Sequence, residues 1–462
     1  NHKRGDFKPY LYVSNDQGKT WTSISSNLPE RGSVYDIAED HIDPDLLFVG
    51  TEFGVYFSVD SGKEWKQIKA GLPTIAVRDL EIQQRENDLV LATFGRGFYV
   101  LDDYSPLRSI KSSLSNKAHI FPIEDALMYI DATPLGIRGK GSQGESHFTT
   151  DNPPLGAVIT YYLNDTLKTG KEIRQKNEEK LIKKGDDVVY PTLESLRAED
   201  REKKPYLIFT IYNKEGVEVR KLIKEPTLGV NRIVWDFRHT PNSAIKLNSP
   251  KPGRYGQASN GPLALPGTYM VSMHKVVEGE VTLLVDKTSF KCKWLEEISL
   301  PAENKEELFA FQNKVEKLRR AIDGAINVLS DLNKRIKFIE AAFKTYPGLD
   351  LNKLKTVSML DKDRDAINIA LYGDNSLSKR DIEQKESIAG RVGIIIWNMW
   401  RNRSNPTETN KMLYTTAGES FMPMIEQLNL LQEQIVEMEK YLESKQVPYT
   451  PGRAIILNWK LE

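Results

Sequence analysis

Two stretches, VSNDQGKTWTSI from Val13 and FSVDSGKEWKQI from Phe57, limit what this chain can become. They set Ser14, Asp16, Gly18 and Trp21 against Ser58, Asp60, Gly62 and Trp65, each pair 44 residues apart. Gly54-Val55-Tyr56 likewise returns as Gly97-Phe98-Tyr99, 43 residues on. A period of this length holds one four-stranded antiparallel sheet. The residues between the landmarks fit such a sheet. SVYDIAED and LLFVGTEFGVYFSVD flank the turn HIDPD, and AVRDLEIQ and LVLATFGRGFYVLDD flank the turn QREND.

The repeated motif has a physical reading that needs no ligand. Ser14 and Asp16 can accept hydrogen bonds from amides that a tight turn leaves unpaired. Gly18 supplies a positive φ, and Trp21 opens the outgoing strand with a ring expected to be buried. Ser58, Asp60, Gly62 and Trp65 repeat the arrangement. The motif resembles the Asp-box consensus Ser-x-Asp-x-Gly-x-Thr-Trp of sialidases, sortilin-type receptors and related propellers, with Glu64 in place of Thr in the second copy. That resemblance puts the boxes at the propeller's edge, away from its central site.

Counting strands gives an incomplete ring. Residues 10–24 supply the last two strands of one blade, 34–68 a whole blade and 77–101 three strands of another. A closed propeller takes about four to eight blades, and an open arc exposes sheet edges. The expectation is that residues 1–117 are the last blades of a β-propeller, completed by an upstream part of the same polypeptide that also supplies the fourth strand of the last blade.

From about Ala118 the pattern changes to LGAVITYYL, YLIFTIYNKEGVEVRKLI, GVNRIVWDFRHT and the long run from Leu265 to Trp294. These predict an immunoglobulin- or fibronectin-like β-sandwich over residues 118–300, turning at Asn213–Gly216 and Glu278–Gly279. Residues 164–204 are dense in charge and predict an exposed, partly helical insertion. Past Pro301 a heptad seam runs Leu308, Phe311, Val315, Leu318, Ile322, Ala325, Leu329, Leu332, Ile336, Ile339 and Phe343. A second runs Phe421, Ile425, Leu428, Leu431, Ile435, Met438 and Leu442. Residues 301–462 are therefore expected to form an antiparallel helical bundle, or an arm that docks a partner. The fold class expected overall is mainly β with an α-helical C-terminal part.

Composition removes several functions. Across 462 residues the 64 basic and 64 acidic side chains cancel, so no net field favours nucleic acid. The densest apolar run, from Val392 to Trp400, is too short to span a bilayer and reads as a buried helix. With one cysteine, Cys292, no internal disulfide can form. The six histidines are scattered, so no metal site is predicted, and no cofactor motif is present.

FGRGFYVLDD (Phe94–Asp103), NRIVWDFR (Asn231–Arg238), PGTY (Pro266–Tyr269) and PYTPGR (Pro448–Arg453) occur together with the Asp boxes. In this combination the chain resembles the C-terminal half of large bacterial sortilin-like Asp-box (BNR) repeat propeller proteins, often labelled glycosyl hydrolases. Unlike animal sortilins, it carries no cysteine-rich module after the propeller.

A glycosidase needs two carboxyl groups across the scissile bond. Asp36, Glu52, Asp79 and Asp102 lie in the repeats, but none stands in a motif that marks a catalytic pair. Arg78 and Arg96 do not make a sialidase's arginine cluster, and no Gly-x-Ser-x-Gly elbow occurs. The expected function is that of a non-catalytic extracytoplasmic binding or assembly protein, recognising a peptide, protein or glycan. The alternatives are a secreted glycoside hydrolase whose carboxylates lie in upstream blades, and a structural subunit of a cell-envelope complex. Phe53, Phe94 and Arg96, in the turns TEFG and TFGRG, are the candidate contact residues; packing between blades is their other reading.

Overall fold

The repeat becomes three separate antiparallel sheets in the computed structural model, which describes residues 2–69, 71–131, 150–165, 167–245, 247, 261–295, 298 and 300–455. The first is a two-stranded ladder of β1 (Tyr12–Val13) and β2 (Thr22–Ser23). The second has four strands in sequence order: β3 (Val34–Glu39), β4 (Leu47–Thr51), β5 (Gly54–Ser58) and β6 (Lys66–Ile68). The third has three: β7 (Val77–Gln83), β8 (Asp88–Thr93) and β9 (Phe98–Leu101).

Each face of the middle sheet is buried. Leu47, Val49, Tyr56 and Trp65 pack with Leu11 and Leu28 on one side. Phe48 and Val55 pack with Leu80, Ile82, Leu89 and Leu91 of the third sheet on the other. Strands buried on both faces lose the apolar–polar alternation, and Leu46–Val49 is accordingly a continuous apolar run.

Packing divides the chain into two units, the first made of Asn1–Leu127, Pro134–Asp236 and Thr268–Cys292. Beyond the repeats this unit holds the short helix α1 (Ile110–Ser113) and two further sheets. One sheet has the order β10 (Ala118–Ile120), β12 (Ala157–Leu163), β15 (Gly229–Trp235). The other runs β11 (Ala126–Met128), β17 (Glu280–Trp294), β16 (Gly267–Val277), β13 (Tyr206–Asn213), β14 (Glu218–Lys224). Rings join the two: Tyr161 lies 4.8 Å from Phe209, and Trp235 lies 4.9 Å from Tyr269 and 6.1 Å from Phe290. The β16–β17 hairpin turns on Glu278 and Gly279, both at positive φ, as a tight two-residue turn requires. Cys292 is buried among these strands, and that burial pushes its thiol up to about 12.

Helices α2 (Gly170–Lys184) and α3 (Leu193–Arg201) occupy the charged insertion and bury no residue. Arg174 of α2 holds both carboxylate oxygens of Glu199 in α3, at 2.6 and 2.7 Å. The run Lys180–Lys184 is exposed.

The second unit comprises Met128–Thr133, Phe237–Gly267 and Lys293–Glu462. Its helices are α4 (Lys305–Thr345), α5 (Leu354–Tyr372), the single turn α6 (Asn375–Ser378), α7 (Ile388–Met399) and α8 (Glu408–Ser444). Asn304, Ser387 and Thr407 cap α4, α7 and α8 with their side-chain oxygens. Every seam position of α4 and α8 lies in, or packs against, one core, joined by Val392, Ile395, Ile396 and Met399 of α7.

The antiparallel pairing expected of the two seams is corrected. Phe311 meets Tyr414, Arg335 pairs with Glu439 and Phe343 stacks on Tyr441, so both helices ascend together and run parallel. The reason lies in the connection. Helices α5 and α7 each return along α4, and α8 therefore starts again beside the beginning of α4, where Gln312 donates to the carbonyl of Met399.

The molecule is thus a set of separate β-sheets with several helices in its C-terminal half, and among the described residues no sheet closes into a barrel.

A candidate binding rim at the strand bulges

One end of the second and third sheets is built twice from the same parts. The β3–β4 ladder slips between Val34 and Asp36, so Tyr35 has no partner across the ladder. The β7–β8 ladder slips between Val77 and Asp79, which does the same to Arg78. A β-bulge re-aims the extra side chain. Here the two extra side chains meet, with the Arg78 guanidinium carbon 3.9 Å from the centre of the Tyr35 ring.

The adjoining turns also match. Thr51 Oγ1 donates to the carbonyl of Gly54 at 2.9 Å, and Thr93 Oγ1 to that of Gly97 at 2.7 Å. The amide of Glu52 reaches Ser33 O at 3.1 Å, and that of Phe94 reaches Ala76 O at 2.9 Å. Glu52 and Phe94 thus hold one position in successive repeats. The Tyr35 hydroxyl donates to the Glu52 carboxylate. Burial first, and then that hydrogen bond, raise the Tyr35 pKa. Phe94 sits on the other side of Arg78, 5.2 Å from its guanidinium carbon, with 69% of its surface exposed.

Of the sequence candidates, Phe94 joins this cluster directly. Phe53 occupies the matched turn: its amide bonds Thr51 Oγ1 at 3.2 Å and its carbonyl accepts from Gln67 Nε2 at 3.0 Å. Arg96 stands exposed between Gly95 and Gly97, whose φ values of +87° and +70° let the loop reverse. Tyr35 was not among the candidates. A signal was present, because Tyr35-Asp36 and Arg78-Asp79 recur 43 residues apart at the start of the inner strands.

Of Asp36, Glu52, Asp79 and Asp102, two are committed to structure: Glu52 to Tyr35, and Asp36 to the amide of Leu80 at 2.9 Å. The rim therefore offers a guanidinium flanked by aromatic faces. Such a platform can stack on a flat apolar or sugar surface and pair with an anion.

The two Ser-x-Asp-x-Gly turn boxes lie elsewhere. Strand β5 leaves the rim at Gly54 and enters the second box at Ser58, roughly 13 Å along the strand at about 3.3 Å per residue. In the first box Gly18 N donates to Ser14 Oγ at 2.7 Å and Thr20 N to Asp16 Oδ1 at 2.8 Å. In the second, Gly62 N donates to Ser58 Oγ at 2.9 Å and Glu64 N to Asp60 Oδ1 at 2.9 Å. Gly18 and Gly62 take φ of +85° and +83°. The two indoles differ. Trp65 is buried and donates to the carbonyl of Ile24 at 2.6 Å, whereas Trp21 is 63% exposed and turns its nitrogen back to Gly18 O. The burial expected of Trp21 is therefore not found; among the described residues no segment covers its ring as Ile24 and Leu28 cover Trp65.

Beside the β8 turn lies a group of titratable residues. Arg108 clamps Asp40 with two bonds of 2.8 Å, and Tyr104 adds a third at 2.5 Å. Burial works against the Asp40 charge, but these donors outweigh it and hold the carboxyl well below the usual range. Asn87 bridges Arg108 to Glu124. Burial, followed by the charge of Asp103, pushes Glu124 up to about 7.

In the second unit Trp294, Phe309, Leu308 and Arg403 line a hollow of about 230 Å³. Arg403 there covers the Trp294 ring at 4.1 Å. Among the described residues no group of three or more His, Cys, Asp or Glu could hold a metal ion, and no helix is long and apolar enough to cross a membrane.

No family model matches the chain, and no curated protein matches it. Among solved structures it is similar to an ancestral GH74 enzyme, at 18% identity and a TM-score of 0.18, over 20% of this chain and 11% of that one. It is also similar to the extracellular domain of a hybrid two-component system from B. thetaiotaomicron, at 13% identity and a TM-score of 0.17, over 62% of this chain and 30% of that one. The chain spans less than a third of either structure's length. Likenesses at these scores define neither fold nor function.

Proposed function

We propose that this chain is a non-catalytic extracytoplasmic binding or assembly protein whose repeats form part of an Asp-box β-propeller. Residues 1–117 are read as its last blades, 118–300 as an immunoglobulin-like sandwich and 301–462 as a helical bundle. The observation that carries the reading is the Tyr35–Arg78–Phe94 stack. Two bulges, at matched places in successive sheets, turn a tyrosine and an arginine together at one end of the inner strands. Neither residue is needed to close its sheet, and Phe94 remains open to solvent. Aromatic and arginine side chains so placed are the residue types that carry recognition energy. Phe53 and Arg96 extend the rim.

The rim's chemistry favours recognition over hydrolysis, since Glu52 and Asp36 already accept internal donors. Its partner is a peptide, protein or glycan presenting a flat face beside an anionic group. An upstream part of the same polypeptide is the second partner of the repeats. The test is a hydrolysis assay on aryl-glycosides and polysaccharides. No turnover is expected; turnover abolished by changing one carboxylate among Asp36, Glu52, Asp79 and Asp102 would establish a glycoside hydrolase instead.

A further inference from the structure

We infer that the outward face of the β7–β9 sheet is the seat of another sheet of the same repeat, and that the first strand of that sheet presents a backbone amide to Asp79. The inference rests on the propeller reading of the repeats and is independent of what the rim binds.

The two ladders can be laid over each other strand by strand. Aligning the bulges puts Asp36 on Asp79, Ile37 on Leu80 and Ala38 on Glu81. The β4 and β8 partners then put Phe48 on Val90, and the hairpins put Val55 on Phe98 and Phe57 on Val100. No fitting is involved; hydrogen-bonded register alone gives these pairs.

In the second sheet this face is an interface. Phe48 and Val55 are fully buried, with Ala38 and Phe57 packed beside them, against Leu80, Leu89, Leu91 and Tyr99 of the third sheet. In the third sheet the same register positions hold Val90, Phe98 and Val100. Phe98 is 77% exposed and Val100 54%. The alternate residues Tyr99 and Leu101 already pack inward. A strand apolar on both faces belongs between two layers, yet among the described residues β9 has only one. The other end of the row obeys the same rule: Leu80 is buried by its neighbouring sheet, while Ile37, its counterpart, is 41% exposed.

A polar contact points to the same occupant. The Asp36 carboxylate accepts the amide of Leu80, two residues past the bulge in the next sheet's first strand. Asp79 stands at the Asp36 position, exposed, with no donor among the described residues. The occupant's chemistry follows. It brings apolar strand residues to Val90, Phe98 and Val100, a main-chain amide to Asp79, and a cation or hydroxyl to Glu81. A second copy of this chain offering the same face would bring the Asp79 and Glu81 carboxylates of both copies into one interface, so like charges oppose that pairing.

The test places the photo-crosslinking residue p-benzoylphenylalanine at position 98 of the natural full-length protein in its own cells. The adduct is then digested and sequenced by mass spectrometry. Phe98 is exposed, so the substitution leaves the fold intact. The expected adduct is with a strand-forming segment of another repeat, outside residues 1–462, and it is lost when Asp79→Lys is added, a change that leaves the melting temperature of the 462-residue chain alone unaltered. An adduct with residues 1–462 of a second copy, an adduct with a lipid or glycan, or no adduct would each overturn the inference. The same probe at position 53 reports on the rim, so failure there with success at position 98 separates the ligand reading from this one.

Discussion

The Asp36 carboxylate reaches out of its own sheet to accept the backbone amide of Leu80, 2.9 Å away in the first strand of the next. One side chain therefore fixes the spacing of two sheets at the point where both strands bulge. It also sets the bulge residues Tyr35 and Arg78 face to face.

Asp36→Ala leaves that amide unpaired beside an apolar interface and should cost about 1–3 kcal/mol of stability. In the 462-residue chain alone, Asp79→Ala, at the same register position but exposed, should change stability by less than about 0.5 kcal/mol. Thermal or urea unfolding of the two variants checks the contrast. Equal losses would mean that Asp36 does not hold the sheets together.

The two Ser-x-Asp-x-Gly turns should govern stability and not affinity. Asp60→Ala removes the acceptor for the Lys63 and Glu64 amides and for the Ser58 hydroxyl, and should cost about 1–2 kcal/mol. Asp16→Ala should cost less, because its turn is open to water. Melting curves read the loss, and ligand affinity measured well below the melting temperature should hold steady.

Much of this was legible in the sequence, for identifiable reasons. Period and turn chemistry are local, so the two Ser-x-Asp-x-Gly turns, the hairpin at Glu278–Gly279 and both heptad seams could be read from single windows. The relative direction of α4 and α8 could not, because a seam records which face is buried and not which way its partner runs. The bulges at Tyr35 and Arg78 were hidden for a related reason. A bulge is a property of a pair of strands, and only the ladder reveals that one residue has no partner. Trp21 and Trp65 look alike in sequence, and their burial differs only because residues 24–28 cross one of them.

Glu124 makes stability depend on pH. Its folded pKa of about 7 lies above the unfolded value of 4.5. The folded state therefore binds more protons between those values, and stability falls as pH rises from about 4.5 to about 7. Glu124→Gln keeps an acceptor for Asn87 and removes the charge. It should raise the melting temperature at pH 8, by the equivalent of about 1 kcal/mol after solvent screening at this partly buried site, and leave it unchanged at pH 4.5. A gain at both pH values would assign the effect to packing.

In the helical unit the buried pair Arg335–Glu439 joins the two parallel helices through bonds of 2.8 and 2.7 Å. Removing one partner strands the other charge, so Glu439→Ala should cost about 3 kcal/mol. Gly452 closes over the same pair: a Cβ there would fall 2.5 Å from Arg335 Nε and 2.7 Å from Glu439 Oε1. Its φ of +97° disfavours a side chain as well. Gly452→Ala should therefore destabilise the unit too, as read by urea unfolding.

The central claim is that the Tyr35–Arg78–Phe94 rim recognises a partner. The direct measurement compares the protein with its Arg78→Ala variant on arrays of peptides and oligosaccharides. Arg78 is exposed and its stacking contributes about 1 kcal/mol, so the variant stays folded. The account predicts that the unaltered protein retains a defined set of ligands and that Arg78→Ala loses them with its melting temperature preserved. Equal retention by both proteins would contradict it.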